Sequence, residues 1–327
     1  MLRVGVIGYG HFGPNLARCL AATPGVSVTM VSDAREERLA IARRDLPGAW
    51  TTVDCTEPLT DPSIDAIVVA TPVASHYELA RMALRHGKHV LVEKPIAASS
   101  AETCRLIDEA ARRRLVLMVD HTFVFSGAVR KMQELVGDGV ADVLYYDSVR
   151  ANLGRVQPDV DVLWDLAVHD LAIIESVLRQ PPRAVSAIGA RQRDAHPARH
   201  AYLTLTFDGP LIAHLHASWL SPVKIRRTVL GGTERTIVYD DLEPRAKIRV
   251  HGASASASAH AGDVPELDNT EPLRAVAQHF VACIASGAKP CTDGLAGLAT
   301  VRVLEAATRS MAEDGRFVDL TTSGVGF

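Results

Sequence analysis

The chain has little of what would tie it to a membrane, a nucleic acid or an oxidising compartment. Its five cysteines, at 19, 55, 104, 283 and 291, are scattered and show no Cys-x-x-Cys spacing. That pattern fits reduced thiols and argues against a disulfide frame or a zinc site, so no metal is expected. No apolar run approaches the roughly 20 residues that a membrane helix needs. Acidic and basic residues nearly balance, 38 against 35, for a net charge of −3. No global basic field therefore favours a nucleic acid, and an anionic substrate would need a local cluster of Arg and Lys. The chain enters a strand-like run at once, which leaves no stretch that reads as a signal peptide, and a cytoplasmic location is expected. With 47% hydrophobic and 22% charged residues over 327 positions, the composition is that of a globular protein of about two domains.

What is present is concentrated first in residues 2–15. A β-branched run ending at Ile7 is followed by Gly8, Gly10 and Gly13, and then by Leu16, Ala17, Cys19 and Leu20 at helical spacing. Strand, G-x-G-x-x-G and helix in that order form the dinucleotide-binding fingerprint. Gly8 makes the tight turn, Gly10 admits a pyrophosphate close to the backbone, and Gly13 lets helix and strand pack closely. The first N–H groups of the helix then face the diphosphate. A plain glycine-rich turn of an α/β protein would carry the same letters.

The second apolar run ends in Ser32-Asp33, with Asp33 twenty residues after Gly13. A carboxylate there accepts hydrogen bonds from a ribose diol and repels a 2′-phosphate, which favours NAD. Asp33 can equally cap the helix that follows it. Arg35 keeps NADP possible, since an arginine nearby can serve a 2′-phosphate.

Through residue 120 the chain alternates strand and helix: strands at 4–7, 26–31, 49–51, 64–70, 88–92 and 115–119, helices at 35–45, 75–86 and 99–113. Short strands that are apolar on both faces belong to a buried parallel sheet, and this alternation predicts a doubly wound domain. Ligands then sit beyond the carboxyl ends of the strands, where Gly8–Gly13, Ala70-Thr71-Pro72 and Glu93-Lys94-Pro95 fall. After residue 120 the rhythm changes. Helices are expected at 126–136 and 162–178 around a strand at 140–151. Strands follow at 183–191, 201–207, 211–219, 224–230 and 235–239, with Asp208-Gly209-Pro210 and Gly231-Gly232 as turns. Residues 252–262 are low in complexity and read as a mobile loop. Helices at 272–285 and 293–314 and a short extended tail close the chain. The fold class expected is α/β: a Rossmann domain over 1–120 with a doubly wound parallel sheet, then a substrate-binding and oligomerisation α+β domain over 121–327 with an open, mainly antiparallel sheet.

Within 211–219, Ala213, Leu215, Ala217 and Trp219 share one face, and His214, His216 and Ser218 the other. The His-x-His pair has no third ligand at suitable spacing, so a polar sheet face or a subunit interface is the simpler reading.

Two clusters carry candidate chemistry. Lys94, at a strand end beside the cofactor site, is either a solvated cap or an ammonium that hydrogen-bonds a hydroxyl and stabilises a developing alkoxide. Asp165 and His169, four residues apart among Leu163, Leu166, Leu171 and Ile174, share one helix face. A histidine beside a carboxylate suits proton transfer near neutral pH. A capping Asp and a satisfied core His would look the same.

Four segments resemble the Gfo/Idh/MocA oxidoreductases: Gly8-Tyr-Gly-His-Phe-Gly-Pro-Asn15, Ala70-Thr-Pro-Val-Ala-Ser-His76, Gly87-Lys-His-Val-Leu-Val-Glu-Lys-Pro95 and Asp165-Leu-Ala-Val-His169. The resemblance spans the chain and its domain order, and it implies that Lys94, Asp165 and His169 form the catalytic group. It also implies cofactor contacts from Gly8, Gly10, His11, Phe12, Gly13, Asp33, Ala70, Thr71, Pro72, His76, Glu93 and Lys94. Substrate contacts are implied for His121, Arg155 and Trp164 together with Lys94, Asp165 and His169. Asp120-His-Thr-Phe-Val-Phe125, Trp219-Leu-Ser-Pro-Val-Lys-Ile-Arg226 and Tyr239-Asp-Asp-Leu-Glu-Pro244 are similar to the branch containing sugar-nucleotide 3-dehydrogenases and ketosugar reductases. Two positions depart from the pattern: Ala167 stands where a glycine is frequent, and Asp120 where a small residue is common.

The resemblance thus implies an NAD(P)-dependent oxidoreductase acting on a secondary alcohol or ketone of a sugar, nucleotide-linked (UDP- or dTDP-) and reacting at C3. The alternatives are an NADPH-dependent ketosugar reductase of deoxysugar synthesis, and a catalytically silent NAD(P)-binding regulator of the same fold. Arg155, Lys224 and Arg226 are the cations available to a substrate diphosphate. A homodimer or homotetramer through the second sheet is expected from the resemblance alone.

Overall fold

A computed structural model describes residues 1–137, 142–154, 160–189, 197–252 and 262–321. The chain forms two compact units, Met1–Phe125 with Thr270–Val301, and Ser126–Asn269 with Arg302–Phe327. This differs from a single cut after residue 120, because helix α8 (Pro272–Ser286) returns to pack on α1 (Gly13–Ala21) of the first unit. Among the described residues no helix is long and apolar enough to cross a membrane.

The first unit is built on β1 (Leu2–Ile7), β2 (Val26–Ser32), β3 (Trp50–Thr52), β4 (Ala66–Val69), β5 (His89–Glu93) and β6 (Leu117–Asp120), in the order β3-β2-β1-β4-β5-β6. Every neighbouring pair is parallel. Val4, Val6, Ile67, Val68, Val90 and Leu91 are fully buried, as a sheet covered on both faces requires. The strand order reverses between β1 and β4, and their carboxyl ends open the crevice where ligands of such sheets bind. The crossovers are α1, α2 (Glu36–Asp45), the short α3 (Thr56–Thr60), α4 (His76–Arg85) and α5 (Ser100–Arg113). Helix α5 starts on a side-chain cap: Ser99 Oγ accepts the Glu102 N–H at 3.2 Å, and Glu102 Oε2 accepts that of Ala98, just before the cap, at 3.2 Å.

The second unit is an eight-stranded sheet, β13-β12-β11-β7-β10-β9-β8-β14. Its strands are β7 (Val143–Leu153), β8 (Ala184–Gly189), β9 (His200–Thr206), β10 (Ile212–Ser218), β11 (Leu220–Gly232), β12 (Arg235–Asp240), β13 (Ile248–Gly252) and β14 (Val318–Asp319). All pairings are antiparallel except that of β10 with β7. Period-two patterning sets its faces: Ala213, Leu215 and Ala217 are buried, while His216 points the other way beside Tyr202 and His200, as does His214 beside Thr204. Helices α6 (Gly127–Val136) and α7 (Val168–Leu178) belong to this unit, as does the end of α9 (Gly294–Ala312). A buried ion pair ties α7 to the sheet, with Arg150 donating to Asp170 at 2.7 and 3.2 Å.

Three short elements, α3, β13 and β14, were not expected from the pattern. The low-complexity stretch expected as a loop at 252–262 falls largely outside the described residues.

Candidate active site

The nucleotide end is built by the turn after β1. Gly8 has φ +94°, and a Cβ on it would collide with Ala70 O; a Cβ on Gly13 would collide with Gly8 O. Both glycines are therefore required by the packing of turn, helix and β4. Gly10 is different: a Cβ there would meet only Arg35 Nη2, at 3.6 Å, so its open side is free for a ligand. Helix α1 begins with Pro14 in its first turn and no side-chain cap, leaving its positive end available to an anion. His11 and Phe12 stand exposed beside it, their rings edge to face at 4.9 Å.

Asp33 closes this end. Its Oδ2 accepts the Tyr9 N–H at 2.7 Å, and its two oxygens accept Arg35 Nε and Nη2 at 3.0 and 3.1 Å. Burial opposes ionisation of Asp33, but the Arg35 guanidinium and the two backbone donors outweigh it and hold the carboxyl below its ordinary range. It also holds its own turn by accepting the Arg35 N–H at 3.0 Å. The glycine cradle, the open face at Gly10 and the ionised Asp33 fit an adenine dinucleotide.

The strand ends at β4 and β5 form a second group. His76 is buried, with Nδ1 2.8 Å from Pro95 O and Nε2 2.8 Å from Thr71 O. The ring thus braces Ala70-Thr71-Pro72 against the Lys94–Pro95 turn, whose peptide is cis. Burial drives His76 toward its neutral form while the two carbonyls pull the other way. Glu93, also buried, accepts the Lys94 N–H through Oε2 at 3.2 Å. His121 lies 2% exposed just after β6 and is pushed down to about 3 by burial, helped by the charge of Lys94. It is an interior group of this unit.

In the second unit the expected continuous helix over 162–178 is broken into a π-helical turn, Leu163–Ala167, followed by α7. The Val168 N–H reaches back five residues to Leu163 O. Such wide turns recur at functional sites, and here the turn carries Trp164 and Asp165, with His169 on the first turn of α7. Asp161 fixes its start, accepting the N–H groups of Leu163 and Trp164 at 2.9 and 3.2 Å. Trp219 donates its indole N–H to Asp165 Oδ2 at 3.0 Å. Trp164 donates its own to Thr308 Oγ1 at 3.1 Å, which leaves its ring face as the part able to meet a substrate. Asp165, His169 and Trp164 are all half-buried.

The candidate diphosphate cations divide. Arg155 lies outside the described residues. Arg226 donates to Asp241 at 3.1 Å, beside Lys247 at 3.2 Å, and Lys224 is exposed. Sequence reasoning missed two contributors, Trp219 and Asp161. The inward alternation ending at Trp219 marked it as buried, but its partner is 54 residues away and carries no local signal.

Residues 2–121 match the oxidoreductase family with an NAD-binding Rossmann fold, and residues 143–238 match the Gfo/Idh/MocA C-terminal domain. The chain is 30% identical over 313 residues to UDP-N-acetylglucosamine 3-dehydrogenase of Acidithiobacillus ferrooxidans, covering 94% of this chain and 95% of that one. It is 24% identical to an NADP(+) scyllo-inositol 2-dehydrogenase of Bacillus subtilis, over 95% and 94% of the two chains. The solved structure of the Acidithiobacillus enzyme superposes with a TM-score of 0.83, covering 95% of this chain and 98% of that one at 26% identity. Levoglucosan dehydrogenase in complex with NADH and levoglucosan, at 21% identity, shares the fold with a TM-score of 0.86 over 98% and 100% of the chains. With its NAD-binding Rossmann unit and C-terminal sheet, the chain belongs to the Gfo/Idh/MocA family of NAD(P)-dependent oxidoreductases.

Proposed function

We propose that this chain is a cytoplasmic sugar dehydrogenase that exchanges hydride between the nicotinamide and C3 of a nucleotide-linked sugar, with a UDP-N-acetylhexosamine as the first candidate. The observation that carries this reading is the 30% identity, over nearly the full length of both chains, to an enzyme named for that reaction. The presence of Lys94, Asp165 and His169 supports chemistry over a silent regulator, which has no chemical need of them.

When bound, the nicotinamide supplies the carbon that takes or gives the hydride. His169 is the acid/base for the carbinol proton, the role an imidazole fills near neutral pH. Lys94 hydrogen-bonds the same oxygen and stabilises the charge that develops on it. Asp165 orients His169, and Trp219 in turn fixes Asp165 through its indole N–H. His76 serves the cofactor indirectly, by holding the Thr71 and Pro95 turns in register. Direction is set by the cofactor ratio, since one site catalyses both senses. Self-association through the outer face of the second sheet fits the exposed Ile188 and Tyr202 found there, 61% and 54% exposed.

A second reading, an NADPH-dependent ketosugar reductase, is favoured by Arg35, half-exposed on its outer side and able to turn toward a 2′-phosphate. The test is a panel of UDP- and dTDP-sugars with NAD⁺ or NADP⁺, followed by reduced-nicotinamide absorbance, with free inositol and glucose as comparisons. Turnover of a UDP-sugar with NAD⁺ supports the dehydrogenase. Turnover of free polyols alone contradicts the nucleotide linkage.

A further inference from the structure

Glu93 and Asp120 are register partners at the carboxyl ends of the adjacent parallel strands β5 and β6. Register partners leave a sheet on the same face, on strands about 5 Å apart. Both carboxyls are buried, at 7% and 1% exposure, and lie close enough for each to act on the other's ionisation. Two ionised carboxylates side by side in the interior repel each other, so this placement favours one of them as an acid.

The rest of the pair is accounted for. Glu93 Oε2 accepts the Lys94 N–H at 3.2 Å, and Asp120 Oδ1 accepts the Thr122 hydroxyl at 2.6 Å. The other two oxygens, Glu93 Oε1 and Asp120 Oδ2, are fully buried and accept from no donor, which leaves them as the places for a proton. Of the titratable groups facing the pair, Lys94 is the cation. His121 is kept neutral by burial, and the Cys19 thiol on α1 is pushed up to about 11 by burial and by Glu271. Burial first, and then each other's charge, push Glu93 well above the ordinary carboxylate range. One cation matches one negative charge, and a second would be uncompensated in the interior.

We infer that Glu93 and Asp120 act as one acid holding a single proton beside Lys94, and that Asp120 is thereby a positioning residue that fixes the charge presented to the nicotinamide. Its position beside the nicotinamide rests on the reading of Lys94 given above; the proton itself does not. The pair then titrates as a unit. A second negative charge, appearing as the shared proton is lost at high pH, favours the cationic oxidised nicotinamide over the neutral reduced one.

Infrared spectroscopy of the full chain, with aspartate and then glutamate carboxyls labelled with carbon-13, reads the proton without any substrate. The expected result is a protonated-carboxyl stretch of glutamate origin in the wild type at about pH 6, above the ordinary carboxylate range, lost in Glu93→Gln. Absence of that band in the wild type, or a band unchanged in Glu93→Gln, overturns the proton-sharing pair; the wild-type spectrum decides even where a variant fails to fold. The positioning role is read from the ratio of NAD⁺ to NADH dissociation constants across roughly pH 6 to 10. The ratio should fall with rising pH in the wild type and stay flat in Asp120→Asn. A ratio equally flat, or equally sloped, in both proteins reduces Asp120 to packing. Neither readout requires turnover, so a failure here is distinct from a failure to find a sugar substrate.

Discussion

Asp165 and Trp219 are joined by a 3.0 Å hydrogen bond from the indole N–H to the carboxylate, within the second unit. Trp219 is 1% exposed, so its ring is locked by packing and its N–H direction is fixed. The bond ties a carboxylate on the π-helical turn to a residue 54 positions away.

Trp219→Phe keeps most of the ring volume and removes the donor. A hydrogen bond to a charged group contributes about 1.5–3 kcal/mol. We therefore expect kcat to fall by roughly tenfold or more, with the NADH dissociation constant unchanged. Steady-state kinetics and fluorescence titration check the split. A rise in KM with unchanged kcat would show that Trp219 serves binding only.

Gly10→Ala and Gly13→Ala are the same chemical change with opposite expected consequences. The Gly13 Cβ collides with backbone, so that variant should lose thermal stability by several kcal/mol or fail to fold. The Gly10 Cβ meets only the end of Arg35, so that variant should melt like the wild type yet bind NADH at least tenfold more weakly. Calorimetry and nucleotide titration separate the two.

Asp33→Ser removes the charge that Arg35 now pairs with and frees the guanidinium. The expected outcome is a shift of preference from NAD⁺ toward NADP⁺, read as the ratio of kcat/KM values. An unchanged ratio would show that Asp33 is a cap and nothing more.

Glu93 makes stability depend on pH in the direction opposite to an ordinary ion-paired acid. Its folded carboxyl titrates above its unfolded value, so between the two the native chain holds one proton more. Stability is then full below the unfolded value near 4.3 and declines as pH rises, by up to about 1.4 kcal/mol per pH unit. Urea midpoints measured upward from about pH 5 should show this slope until the folded carboxyl ionises, and Glu93→Gln should flatten it.

Much of this was legible in advance because it is local or periodic. The fingerprint glycines, the alternation behind both sheets and the Asp165–His169 spacing each depend on neighbours in the chain. The parts that were not legible are set by tertiary pairing. Strand β14 has two residues and exists through its pairing with β8; β13 is an edge strand held by β12. The return of α8 to the first unit follows its packing on α1, which no linker composition announces. The π-helical turn looks like helix in the pattern, because apolar spacing survives a one-residue widening. His76 is expected only as a cofactor contact implied by the resemblance, and its burial between two carbonyls appears only in three dimensions.

The measurement that tests the account most directly is NADH formation by wild type, Lys94→Ala and His169→Ala on the nucleotide sugar that the wild type turns over, with NADH binding measured in parallel. The account predicts that both substitutions lower kcat by 10²-fold or more while each variant still binds NADH. Turnover that survives both substitutions would contradict it.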